Sequence, residues 1–213
     1  LADDPFPASA LADAVHAIER ADLATGEDVA IVGDGLLGAF ACRLATDRRT
    51  DVSLLSPKPY MLQKARKEGV DETFLIDETW NRTDDTIVEW DETRRFDCVI
   101  DATGREAPQG VATGLCRTNG RLVVGGRLRE DPAPVEVEGW ARHALDIVDA
   151  RDCSQPKRVR TMQEAVEAAT DRETEPVDLF THRFPLNDLD EALRVAADDP
   201  PGYIQGLIVP SDD

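Results

Sequence analysis

Apolar residues recur in two rhythms along this chain, and the rhythms alternate. Short β-branched runs occur at Asp28–Val32, Asp51–Ser56, Thr73–Ile76, Phe96–Asp101, Gly120–Val124 and Leu145–Val148. Between them apolar positions repeat with the helical period, over Pro7–Leu23 (Ser9 a candidate cap), Leu36–Ala45, Pro59–Glu68 closed by Gly69, and Ala107–Leu115. The polar, acidic stretch from Thr79 to Glu92 reads as a surface helix and loop. Strand and helix thus alternate every roughly 20–25 residues, a spacing that demands parallel strands joined by right-handed crossovers. Several strands are apolar throughout, as in a sheet covered on both faces. The fold class is α/β, with a doubly wound parallel sheet. The texture changes after Asp152: Lys157–Thr170 is predicted helical, Phe180–Leu186 leads into a helix capped by Asn187 and ending at Ala197, and Tyr203–Val209 is a last strand.

Composition narrows the function. Acidic residues number 43 against 24 basic ones, for a net charge of −19, and the lysines are Lys58, Lys64, Lys67 and Lys157. That field repels nucleic acid and anionic lipid, so neither is expected as a partner. With 41% apolar residues this is a folded, acid-coated chain rather than a disordered one. Dispersed acid and Arg in preference to Lys point to a cytosol of high salt, where screening over about 3 Å at about 1 M removes the self-repulsion. No run of about 18 apolar residues offers a membrane span. The start, Leu1-Ala2-Asp3-Asp4-Pro5, has neither the basic nor the apolar region of a signal peptide. It also lacks Met, which fits processing or a piece of a longer chain. Cys42, Cys98, Cys116 and Cys153 are widely spaced, and read as buried thiols in a reducing cytosol, not disulfides or a zinc site.

The stretch Asp28-Val29-Ala30-Ile31-Val32-Gly33-Asp34-Gly35-Leu36-Leu37-Gly38 carries the chemistry. A strand flows into G-x-G-x-x-G and a helix follows, the context of a dinucleotide-binding fingerprint. Gly33 permits the tight turn, Gly35 lets a pyrophosphate approach the backbone, and Gly38 lets the helix pack closely on the strand. The helix start at Leu36 and Leu37 offers free N–H groups and the positive end of the helix dipole.

In order along the chain, Val32-Gly33-Asp34-Gly35-Leu36-Leu37-Gly38, Asp101-Ala102-Thr103-Gly104, Gly120-Arg121-Leu122-Val123-Val124-Gly125-Gly126, Thr181-His182-Arg183-Phe184-Pro185-Leu186 with Asp190-Glu191-Ala192, and Gly206-Leu207-Ile208-Val209-Pro210 resemble the zinc-type medium-chain dehydrogenase/reductase family. The resemblance spans nearly the whole chain but only the second, cofactor-binding half of a family member. It implies a Rossmann domain over 24–176, a linker helix over 1–23, and a C-terminal return segment over 177–213. The last two would belong to a catalytic domain otherwise missing here. It implies an NAD(P)-dependent oxidoreductase moving hydride between the cofactor and an alcohol or polyol, this chain alone being catalytically incomplete. The alternative is a non-catalytic NADP-binding module or a split dehydrogenase subunit. By the same likeness Ala102, Thr103 and Gly104 would face the cofactor, Val124, Gly125 and Gly126 would lie near the nicotinamide, and dimers would pair at the Leu145–Val148 sheet edge.

Three positions depart from the family. Where it often has a zinc ligand, this chain has Ser9 or Ala10. Asp13 and His16 lie nearby, but a lone helical His is more often a packed one, and no metal or catalytic residue is assigned. Zinc is expected only with a catalytic domain upstream. Where NAD-preferring members end the second strand with a carboxylate, this chain has Ser56, then Pro57 and Lys58. A carboxylate would repel a 2′-phosphate that Ser56 and Lys58 would welcome, so NADP is expected, with NAD as the alternative. Where members carry a Lys in the final strand, this chain has Gln205, with Arg127 as a candidate substitute. A short-chain-type Tyr-x-x-x-Lys pair, Tyr60 and Lys64, sits too early in the fold for its chemistry. Asp101 is either a turn-former or a cofactor-facing residue.

Overall fold

The computed structural model describes residues 8–77, 80, 94–126, 137–151, 155–170 and 179–210. Thr79–Glu92, apart from Trp80, lies outside them, as do Arg127 and Cys153. Two compact units divide the described residues, 8–167 and 168–210.

In the first unit α1 (Ala8–Ala21) precedes β1 (Asp28–Val32), α2 (Leu36–Asp47), β2 (Asp51–Ser56), α3 (Pro59–Lys67) and β3 (Glu72–Leu75). Then come β4 (Phe96–Asp101), α4 (Glu106–Leu115), β5 (Cys116–Val124), α5 (Val137–Arg142), β6 (Asp146–Asp149) and α6 (Gln155–Thr170). The six strands form one sheet in the order β3-β2-β1-β4-β5-β6, parallel at every pairing. This is the doubly wound order with its switch between β1 and β4. The apolar runs explain it. Along β1, Val29 and Ile31 enter one core with Ile18 of α1, Ala41 of α2 and Leu62 of α3. Ala30 and Val32 enter the opposite core with Phe96, Ala112 and Leu115. Both faces are buried, so the strand has no polar face to alternate.

β1, β2 and β4 occupy the residues that periodicity predicts. Other expectations shift. Ser9 lies exposed inside the first turn of α1 rather than at its cap. β5 begins at Cys116, not Gly120: α4 ends at Leu115 and the chain joins the sheet at once. The pairing is irregular there, slipping between Phe96 and Cys98, and Asn119 takes a positive φ of 59°, so the exposed polar residues before Gly120 hide the strand. α5 has no counterpart in the sequence reading, its six residues being too few to show a period. It is tied down by Trp140, whose Nε1 donates to Thr113 Oγ1 at 3.2 Å.

The second unit holds β7 (Phe180–Pro185) parallel to β8 (Gln205–Val209), with a 3₁₀ turn at Leu186–Asp188 and α7 (Leu189–Asp198) between. Asn187 is therefore not a helix cap. It lies in the 3₁₀ turn, and Asp188 holds the N-cap place of α7 without a side-chain cap bond. Gln205 opens β8.

Candidate functional site

Three glycine-bearing turns meet beyond the carboxyl ends of β1, β4 and β5. Gly33 leaves β1 at φ +110°, and a Cβ there would lie 2.6 Å from Thr103 Cγ2. Its amide donates to the Leu55 carbonyl at 3.1 Å, which keeps the turn against β2. Gly38, in the first turn of α2, sits so close that a Cβ would meet the Gly33 carbonyl oxygen at 2.0 Å. Gly126, after β5, presses on the turn after β4: a Cβ would stand 2.1 Å from Gly104 N. Leu37 Cδ2 closes the set, at 3.4 Å from where a Gly125 Cβ would be.

Gly35 is the exception. It is exposed, and nothing lies within 4 Å of its absent Cβ. It is also the N-cap residue of α2, and no side chain caps that helix start. The early N–H groups of α2, at Leu36 and Leu37, therefore point past a residue with no side chain into open space. That is what an anion approaching a helix N-terminus requires. The pyrophosphate of a dinucleotide fits such a cradle.

Asp101 organises the two turns behind it. Its Oδ1 accepts the Thr103 amide at 2.9 Å and hydroxyl at 2.6 Å. Its carbonyl accepts the amides of Gly125 and Gly126, each at 2.9 Å. The Ala102 amide donates to the Val32 carbonyl at 2.9 Å, extending the β1–β4 pairing by one bond. Asp101 is fully buried, and its Oδ2 has no hydrogen-bond partner among the described residues. Burial pushes its carboxyl up, against the pull of the Thr103 hydroxyl and amide. Asp101 is thus a turn-former. Val124 is buried beneath, while Ala102 and Thr103 are half-buried.

Ser56 differs from its expectation. It is fully buried at the end of β2, and its hydroxyl donates to Asp34 Oδ2. The Lys58 amide donates to the same hydroxyl oxygen at 2.9 Å. Lys58 is the N-cap of α3. The sequence reading gave Asp34 no role because the partner residue lies a whole helix away.

The remaining candidates are elsewhere. Tyr60 and Lys64 lie on α3, and Lys64 pairs with Glu68 at 3.2 Å. Cys42, Cys98 and Cys116 are buried and free. Burial pushes the Cys98 and Cys116 thiols up to about 12, which denies them thiolate chemistry at neutral pH. Among the described residues no group of three or more His, Cys, Asp or Glu could hold a metal ion, and no helix is long and apolar enough to cross a membrane.

Comparison with known proteins adds to this geometry. No family model matches the chain. Sorbitol dehydrogenase of Bombyx mori is 29% identical over 191 residues, 87% of this chain and 52% of that protein. In sequence and in fold the chain is similar to the alcohol and polyol dehydrogenases. L-idonate 5-dehydrogenase from Escherichia coli matches 96% of this chain with a TM-score of 0.74 at 21% identity, over 59% of its own length. A protein of Sinorhizobium meliloti described as a putative zinc-binding dehydrogenase, solved bound to NADP, matches 94% of this chain with a TM-score of 0.70 at 20% identity, over 57% of its length. At these identities the structures attest the fold. The chain spans about half the length of the curated relative it matches, and the likeness corresponds to a dehydrogenase's cofactor-binding half.

Proposed function

We propose that this chain is the cofactor-holding part of an oxidoreductase that moves hydride between a nicotinamide cofactor and an alcohol or polyol. The observation that carries the reading is the open, side-chain-free start of α2 at Gly35, set among turns too tight for any side chain at Gly33, Gly38 and Gly126. The nicotinamide ring supplies the hydride chemistry when the cofactor is bound. The chain's part is to bind and orient. The α2 amides hold the pyrophosphate, Ala102, Thr103 and Gly104 flank the bound cofactor, and Val124, Gly125 and Gly126 border the nicotinamide end. NADP is the cofactor that Lys58 favours. NADP in the Sinorhizobium meliloti relative supports a nicotinamide dinucleotide here.

In this reading α1, packed on the sheet through Ile18, is the linker from a catalytic domain that the rest of a longer protein would supply, and the segment from 177 onward returns to that domain. Among the described residues no cluster of His, Cys, Asp or Glu could hold zinc, and a zinc ion would take its ligands from that further domain. The acid coat suits a salt-rich cytosol, and β6 at the sheet edge is the surface through which two copies pair.

Calorimetric titration of this chain with NADPH and NADH tests the reading. Binding of at least one at micromolar concentration is expected, together with competition by ADP-ribose. Absence of binding by both, with the fold intact by circular dichroism, overturns it.

A further inference from the structure

Asp34 stands between Gly33 and Gly35, half-buried, with its carboxylate on the Ser56 hydroxyl. The register Val32↔Leu55 and the Gly33 amide on the Leu55 carbonyl at 3.1 Å keep the ends of β1 and β2 side by side. A serine hydroxyl has one proton to donate. Here it goes to Asp34, while the oxygen takes the Lys58 amide at 2.9 Å. Ser56 is also 0% exposed. It cannot turn to a phosphate without stripping Asp34 of its bond. Asp34 lines a groove with Arg43 and Lys64, but each of those cations pairs within its own helix, Arg43 with Asp47 at 3.6 Å and Lys64 with Glu68 at 3.2 Å. Among the described residues no ion pair neutralises Asp34.

We propose that Asp34, anchored by Ser56, is the residue with which this site discriminates a ribose 2′-hydroxyl from a 2′-phosphate. This rests on the dinucleotide reading above. In such units a carboxylate about 20 residues past the glycines accepts the ribose hydroxyls. Ser56 occupies that place, and the neighbouring strand delivers the carboxylate to it instead. A ribose hydroxyl can donate to Asp34. A 2′-phosphate offers only acceptors and close to two negative charges, which Asp34 repels. Lys58 acts in the opposite direction, and the preference of the site is the balance of the two.

The test is calorimetric titration of NADH and NADPH into the whole chain and its variants. Asp34→Asn keeps an acceptor for Ser56 and removes the charge. It tightens NADPH relative to NADH by about tenfold, the scale of one like-charge contact in a partly screened site. Ser56→Ala keeps the charge and moves that ratio by less than about threefold. Lys58→Ala moves it toward NADH. An unchanged ratio in Asp34→Asn, with both cofactors still bound, overturns the proposal. So does a Ser56→Ala shift as large as that of Asp34→Asn, which would assign the discrimination to the hydroxyl. Should the Asn variant not fold, Asp34→Ser carries the same expectation. Loss of binding by the wild-type chain to both cofactors would instead remove the dinucleotide reading itself.

Discussion

Glycine means different things at Gly38, Gly35 and Gly110, and substitution by alanine separates them. At Gly38 the new methyl would sit on the Gly33 carbonyl oxygen at 2.0 Å, which only backbone movement relieves. Gly38→Ala is expected to cost about 2–3 kcal/mol and to abolish cofactor binding. Gly35→Ala meets no atom within 4 Å; it costs under about 1 kcal/mol as a poorer cap yet weakens binding, because the methyl occupies the open space. Gly110 lies within α4 with nothing nearby, so Gly110→Ala stabilises by about 0.5–1 kcal/mol. Urea unfolding beside cofactor titration checks all three. Asp101 carries a pH signature. Its folded carboxyl is raised above the ordinary value of 3.8 by burial. Below that value both states hold the proton. In the window above it the folded state keeps a proton that the unfolded state has lost, so stability falls as pH rises through the folded pKa. The stability of wild type relative to Asp101→Asn should therefore fall with rising pH, measured by urea unfolding from about pH 4 to pH 7. A wild type that gains stability relative to Asp101→Asn as pH rises would refute the raised carboxyl.

The elements were legible where burial on both faces made a strand apolar from end to end, as in β1, β2 and β4. They were not legible where a strand begins in polar residues, as β5 does, or where a helix is as short as α5. Asn187 misled for a related reason: it is a good cap residue in isolation, but the 3₁₀ turn delays α7 to Leu189. The sheet ends at β6, with Asp146, Ile147 and Asp149 exposed. An edge strand of this kind needs protection, and pairing with a second copy is the proposed form. Ile147→Lys should convert a dimer to a monomer in sedimentation velocity without loss of helical signal. A wild-type chain sedimenting as a monomer at about 50 μM, near or above ordinary interface affinities, would show the edge to be unused.

At the scale of the whole molecule the net charge of −19 opposes compaction, and salt relieves that opposition. Raising KCl from about 0.1 M to about 2 M should raise the melting temperature by several degrees, read by differential scanning fluorimetry. A flat response would mean that the acid surface is spaced widely enough not to repel itself. The alternation of strand and helix, the doubly wound sheet and the glycine turn after β1 were all determined by the sequence, because each depends on local periodicity or on residues that are neighbours in the chain. Tertiary structure alone decided the rest. Asp101 became the organiser of two turns because β5 brings Gly125 and Gly126 to its carbonyl. Asp34 met Ser56 because β1 and β2 lie side by side, and no pattern read along one strand reports a contact made across two.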